Sequence, residues 1–422
     1  MRHPGIFAAG LVAAIAVTAT PVFARQSDSL ERRSDTTNAI APSPAGSSDA
    51  PSPTEQREWF GRGLKWANWS RMTGDWDRLR TDLDEHGWSF QIGTISDVSS
   101  LATPSRRPQG IGRQLTTIGM TIDLEKAAGL KGSRVLVQYQ SMGGANGAIR
   151  AATTQGFSNI DADAFSRFGE VWFEQRAGAS LRIKTGLIDA NKDFAFVENG
   201  ADFINSSMGY SPTIFPLPTY PDPHMGLVVR VDPAERFYAV GGLFNGGPAM
   251  GVADFSAVFA MGEAGLRWKG WGGGRIGIGY WHVGGRRADP DDVIQPVATG
   301  GQYVVLDQTV WSGERDGAAR SIGAFFQAGL ADPGISTTSS HVGGGVVARG
   351  FVAARPDDSF GVGLTTVRLV GGARESEVGA FYRLALTKWM ALKPDVQFIR
   401  SPGGASSRRF LVAGTVRIEV GF

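Results

Sequence analysis

Cysteine is absent from all 422 residues, so no disulfide framework, thiolate metal site or thiol nucleophile can form. Histidine is scarce. Beyond His3 there are His86, His224, His282 and His341, in no H-x-x-x-H or H-E-x-x-H spacing, and neither a metal site nor a cofactor is indicated. An excess of one charge is missing too: 42 Lys plus Arg face 40 Asp plus Glu, which leaves no whole-chain field to attract a polyanion and no support for a nucleic-acid role. Past the first two dozen residues, no uncharged apolar run approaches the length of a transmembrane helix. If this chain crosses a membrane, it must do so as a closed barrel of strands, which leaves no backbone group unpaired in lipid.

What is present supports that alternative. Arg2 and His3 precede an apolar stretch from Ile6 to Val17 and a small-residue site at Val22-Phe23-Ala24, the pattern of a secretory signal peptide spanning residues 1–24. The 58 glycines, 24 phenylalanines and 11 tryptophans occur with alternating, not blocky, hydrophobicity, as expected of strand-rich barrels with aromatic girdles. A soluble β-sandwich fits the same composition.

Residues 25–53 are rich in Ser, Pro, Asp and Ala and read as a disordered periplasmic leader. From 54 to 86 the period becomes 3.6, with Trp66, Trp69, Met72, Trp76, Leu79 and Leu83 near one stripe, which predicts an amphipathic helical segment at the barrel mouth. Residues 87–422 form the barrel domain. Sixteen strand-like runs are expected at 88–98, 112–124, 132–141, 166–178, 179–188, 224–231, 235–244, 255–270, 271–284, 300–311, 317–330, 340–353, 358–371, 374–387, 388–400 and 408–422. Short connections at 232–235, 269–272, 313–316 and 356–358 alternate with long ones at 142–165, 189–223 and 285–299, as periplasmic turns alternate with external loops; the short connection near Gly371-Gly372 is an exception.

The period of two assigns faces. Glu170, Trp172, Glu174 and Arg176 oppose Val171, Phe173 and Gln175, and Arg182 and Lys184 oppose Leu181 and Ile183. Glu263 and Arg267 oppose Ala264 and Leu266, and Glu377 and Arg383 oppose Val378, Ala380, Tyr382 and Leu384. Charge on one face and lipid-compatible groups on the other indicate a water-filled lumen. Arg134, Gln138, Lys393, Asp395 and Gln397 are further lumen candidates. At the end of the sequence Val416, Ile418, Val420 and Phe422 form an apolar alternation ending on an aromatic, as in many bacterial outer-membrane barrels, and Phe422 is the expected assembly signal.

At three places the sequence resembles the carbohydrate-selective porin family. One is Gly74-Asp75-Trp76-Asp77-Arg78-Leu79-Arg80 with Leu83 and Gly87, similar to the motif that precedes the family's barrel, although small or glycine residues usually follow the Trp. The most specific is Gly169 to Gln175 with Lys184-Thr185-Gly186-Leu187-Ile188-Asp189-Ala190-Asn191, Asp193-Phe194 and Phe203 to Ser207. The last runs from Glu377 to Phe422 and includes Tyr382, Leu392 to Ile399 and Pro402-Gly403-Gly404. The resemblance implies an all-β outer-membrane channel, not an enzyme, through which small sugars such as glucose diffuse passively, with the lipid bilayer and the outer-membrane assembly machinery as partners. A non-conducting structural or assembly barrel is one rival reading. An outer-membrane hydrolase is another, and needs a histidine beside a serine and an acid or amide in space.

The long connection from Asp189 to Pro223 carries Phe194, Phe196, Phe203 and Phe215 and is too apolar for disorder. It is expected to fold inward as a constriction loop, the alternative being an external lid or packing insert. Asp189, Asn191, Asp193 and Phe194 then join Glu170, Trp172, Glu174, Arg176, Arg182 and Lys184 around the narrowest zone. Lumen substitutions are expected to cost little stability compared with charges on the lipid face. Gly272 to Gly277 matches G-x-G-x-x-G, but the alternating strand that follows makes it a hairpin turn, not a nucleotide site.

Overall fold

The computed structural model describes residues 57–103, 106–214, 222–246, 256–288, 294–315, 317–333, 336–407 and 410–422. The expected signal peptide, the leader and Phe215 lie outside the described residues. The alternating runs form β1 (Trp88–Thr103), β2 (Arg106–Asp123), β3 (Ser133–Gly144), β4 (Phe165–Ala177), β5 (Leu181–Ile188), β6 (His224–Ala234), β7 (Phe237–Asn245) and β8 (Ala257–Trp268). They continue as β9 (Gly274–Ala288), β10 (Ile294–Arg315), β11 (Ala318–Ala331), β12 (Thr338–Arg349), β13 (Ser359–Leu369), β14 (Arg374–Ala385), β15 (Met390–Arg400) and β16 (Phe410–Gly421). Each strand pairs antiparallel with the next. β16 closes on β1 from Val412 opposite Ala102 to Gly421 opposite Gly93, giving a closed sixteen-stranded barrel that leaves no free sheet edge. No described helix is long and apolar enough to cross a membrane.

Faces follow the alternation. Phe173, Ile183, Leu243, Ile278, Val362 and Phe398 stand exposed on the outside, where a barrel meets lipid. Glu170, Glu174, Lys184, Glu263, Glu377 and Lys393 point inward. A bulge in β4 sets this register near the constriction: Gln138 pairs with Glu170 while Tyr139 pairs with Phe168, so Gly169 is the extra residue. A Cβ there would sit 2.7 Å from the Gln138 side-chain oxygen, so any larger residue would have to displace the Gln138 and Gln140 side chains.

Several expected boundaries move, and three of them bear on the architecture. The 285–299 connection is mostly ladder, with Gly285 opposite Val297 and Ala288 opposite Ile294. The 356–358 turn is the end of a longer connection, because Gly350 takes φ +76° and ends β12 at Arg349. The helical segment over 54–86 shrinks to an α-helix at Leu79–Glu85 and a 3-10 turn at Trp66–Asn68. Gly74, Trp76, Asp77 and Arg78 have φ of +67°, +50°, +55° and +78°, a left-handed run that no α-helix can pass through. Asp77 and Arg78 thus hold a conformation that glycine would adopt without strain.

This segment packs on the end of the barrel that holds the short turns. The amide of Met72 donates to the Gly421 carbonyl at 2.9 Å, and the Trp66 and Trp389 rings lie 4.6 Å apart. The Arg80 guanidinium, almost fully buried, donates to the carbonyls of both Phe90 and Phe422 at 2.9 Å, bridging β1 to the residue after β16. Burial pulls this guanidinium down to about 10. Phe422 is itself held by its amide, which donates to the Ile92 carbonyl at 2.8 Å.

The principal apolar core lies inside the barrel. The connection after β5 folds inward and sets Phe194, Val197, Phe203, Met208 and Ile214 against Val240, Phe259, Trp281, Tyr303, Phe325 and Phe381 of the wall. Wall glycines make room for it. A Cβ on Gly323 would lie 2.2 Å from Asn199, and one on Gly329 would lie 2.4 Å from Thr213.

Candidate functional site

The inward faces of β4 and β5 meet the start of the inward loop. Asp189 accepts the Asn191 amide at 2.9 Å and caps a 3-10 turn over Ala190–Lys192, which aims the next carboxylate, Asp193, back at β5. Arg182 reaches Asp193 at 2.6 Å and Lys184 reaches its other oxygen at 2.7 Å. Arg182 also approaches Glu174 at 3.5 Å, and Arg176 pairs with Glu174 at 2.9 Å. Lys192 pairs with Glu170 at 2.6 Å, and the Trp172 indole N–H donates to the same carboxylate at 3.2 Å. The Lys184 ammonium stands 5.1 Å from the Trp172 ring centroid. Alternating charge around one aromatic face offers donors, acceptors and a flat apolar patch within one short arc.

Two of the sequence candidates here do other work. Phe194 has no exposed surface and meets Phe244 edge-on at 6.4 Å, so it anchors the loop in the apolar core and does not face a pore. Asn191 is buried in the turn. Side-chain exposure also divides the ion pairs. Arg182 keeps 25% of its surface against 1% for Asp193, and Arg176 keeps 45% against 4% for Glu174.

The candidates farther round the wall are mostly covered by loop. Glu263 accepts the Ala195 amide at 2.8 Å and the hydroxyls of Tyr238 and Tyr303 at 2.7 and 2.9 Å. Glu377 accepts from the Asn205 amide group at 2.6 Å, Gln397 donates to the Phe157 carbonyl at 2.8 Å, and Lys393 donates to the Asp202 carbonyl at 3.1 Å. Asp395 accepts from Gln397 at 2.7 Å. All five are buried, so the expectation of solvated lumen residues is corrected. Their polar atoms bind the loops that fill the outer lumen, because a buried backbone N–H or C=O must find a partner.

Sequence reading did not single out several residues of the same kind. Asp307 accepts the amides of Glu198 and Asn199 at 2.8 and 3.0 Å, and Glu375 accepts those of Thr154 and Gln155, both at 2.9 Å. The connection 145–164 is a second inward loop. Its Asp161 pairs with Arg113 at 2.9 Å, while Arg417 holds Asp97 through two bonds of 2.7 and 2.9 Å and donates to Asn159 at 2.8 Å. Burial lifts the Asp161 carboxyl to about 6 in spite of Arg113. Asp97, Arg113 and Arg417 obey the same alternation as the candidates that were chosen, so their inward direction was readable. Their loop partners, distant in sequence, were not.

One histidine does meet a serine. His341 Nδ1 lies 3.1 Å from Ser211 Oγ, but its other nitrogen faces the Thr365 hydroxyl at 2.8 Å, and that hydroxyl donates to Gln155. The group is fully packed, with no carboxylate in it, and ties the first inward loop to the wall.

Open space remains toward the short-turn end. A cavity of about 790 Å³ is bordered by Arg134, Trp172, Glu174, Arg182, Lys184 and Arg267, with Asp193 and Phe196 of the inward loop. A larger one of about 1820 Å³ opens beside it past Arg267 and Arg275. Gln138 and Arg383 border a third, of about 370 Å³, beneath Trp389; there Arg383 pairs with Glu419 at 2.9 Å.

Comparison with known proteins gives a consistent result. The sequence profile of the carbohydrate-selective porin, OprB family, matches residues 110–422. Porin B of Pseudomonas aeruginosa is 23% identical over 86% of this chain and 93% of its own length. The high-pH structure of Pseudomonas putida OprB superposes with a TM-score of 0.77 at 19% identity, covering 85% of this chain and all of that one. The low-pH structure of the same protein gives a TM-score of 0.60 at 18% identity, over 84% of this chain and 99% of that one.

Proposed function

The chain belongs to the carbohydrate-selective porin, OprB family, an outer-membrane barrel that serves sugars, and from that premise we propose that it passes small neutral sugars of glucose size by passive diffusion. One observation carries this reading: Asp193, Lys184, Arg182 and Lys192 border the 790 Å³ cavity together with Trp172, with Lys184 over its ring and Glu170 holding its indole N–H and Lys192. A sugar presents hydroxyls at its rim and C–H groups on its faces. Charged side chains exchange hydrogen bonds with the first while an indole covers the second. Each contact is weak and several lie in sequence along the path, which suits conduction, since a tight site would hold the solute. Residues 1–24 direct export and are removed, and Phe422, the residue after the strand that closes the barrel, is the assembly signal.

Liposome swelling tests the reading. The reconstituted barrel should admit glucose faster than a trisaccharide. Vesicles that stay impermeable to every small solute would leave a structural or assembly barrel in its place.

A further inference from the structure

The vestibule at the short-turn end contains more charge than a neutral sugar needs. Nine Lys and Arg against five Asp and Glu border the 790 Å³ cavity. More telling is which sign faces the water. In pair after pair the carboxylate lies behind and the cation in front: Arg176 over Glu174, Arg182 over Asp193, and Arg275, 23% exposed, over Glu263, 1% exposed. Asp232 is shared by Arg267, the more exposed member of that pair at 38% against 25%, and by Arg230, which at 19% lies deeper than the carboxylate.

Three of these guanidinium groups are held by one ring. The central carbons of Arg230, Arg267 and Arg275 stand 4.7, 5.3 and 5.6 Å from the Tyr238 centroid, and the tyrosine is fixed by donating to Glu263. Stacking on a buried ring sets the guanidinium planes and lowers the entropy lost when they grip a ligand. A guanidinium matches a carboxylate or phosphate with two parallel N–H bonds, which it cannot do for a single hydroxyl. A cavity with low-dielectric walls and one sign of exposed charge also concentrates counter-ions.

Resting on the porin reading, we propose that this vestibule is an anion-collecting antechamber and that the pore takes monosaccharides bearing a carboxylate or a phosphate in preference to neutral ones. Glucuronate and glucose 6-phosphate represent the two anion types, and both share the sugar ring that the Trp172 arc accepts.

The full chain in planar bilayers under a potassium chloride gradient should give a reversal potential on the anion-selective side; a cation-selective potential overturns the proposal. In liposome swelling at low salt, uptake of glucuronate or glucose 6-phosphate should exceed that of glucose. Preference for either anion supports the proposal and tells carboxylate from phosphate, whereas preference for neither overturns it. The charged-to-neutral ratio should fall roughly tenfold at most in the variant Arg267→Gln with Arg275→Gln, and raising the salt should erase the preference of the unaltered chain. An unchanged ratio in a folded variant overturns the proposal. Should that variant fail to fold, Arg176→Gln, at an exposed position, is read instead with the same two outcomes. Failure of glucose itself to enter would sink the porin reading, a result distinct from all of these.

Discussion

The outer and inner parts of this lumen are built from the same residue types and use them oppositely. In the outer part Glu375, Glu377, Asp97 and Arg417 are buried, and each holds one of two loops that fill the barrel. In the vestibule Arg176, Arg182 and Arg267 keep a quarter or more of their side-chain surface in water. A charge pointing into a barrel therefore belongs to one of two populations. One acts as internal glue for chain that could not otherwise be buried, and the other makes the field a solute meets. The inward loops create the difference, since they decide which stretch of wall still sees water.

Breaking the glue should have the largest effect. Arg417→Leu removes both bonds to Asp97 and leaves that carboxylate buried with the Ser158 hydroxyl at 2.7 Å and the Arg113 cation farther off at 3.7 Å. The expected loss is about 3–5 kcal/mol, read as a lower denaturant midpoint for the heat-resistant folded form. This contradicts the sequence-based expectation that lumen substitutions are mild, and a midpoint within error of the parent would restore it. Glu263→Ala comes next. It removes the acceptor of the Ala195 amide and of two tyrosine hydroxyls, at about 2–3 kcal/mol, and should free the start of the first inward loop. Single-channel conductance should rise, and trisaccharides should begin to pass.

The barrel itself was legible in the sequence for a simple reason: all sixteen strands alternate, and alternation is a local property. The inward loop was legible in outline, because Phe194, Phe196 and Phe203 have to be buried somewhere. The depth of each wall charge was not legible. Glu377 and Arg383 share a face six residues apart in β14, yet one is sealed under Asn205 while the other borders a cavity. Only the path of a loop nearly two hundred residues away separates them. The left-handed run at Trp76 to Arg78 was missed for a related reason, since spacing reports side-chain period and carries no backbone sign.

Arg182 and Lys184 sit on the border between the two populations. Changing both to Ala takes two positive charges from the vestibule and also leaves Asp193 buried without its partners. Stability should fall by about 1–2 kcal/mol, less than for Arg417→Leu because Arg182 is partly in water and screened. Conductance should increase, ion preference should move toward cations, and sugar block should weaken. Adding Asp193→Asn should recover most of the stability and none of the ion preference. Recovery of both would mean that the field depends on loop position and not on the two cations.

Arg176→Ala should have the smallest effect on folding and gives the cleanest separation of the two populations. Its side chain is 45% exposed, and its partner Glu174 retains Arg182 at 3.5 Å when Arg176 is gone. A pair of this kind in contact with water contributes about 0–1 kcal/mol, so the denaturant midpoint should barely move. The charge seen by a permeating ion does change, because the exposed member is removed and a carboxylate comes forward in its place. The reversal potential in a salt gradient should therefore shift toward cations without any loss of folded protein, and the shift should shrink as ionic strength rises. A stability loss as large as that of Glu263→Ala, with no shift in reversal potential, would place Arg176 among the tethers and remove the distinction between the two parts of the lumen.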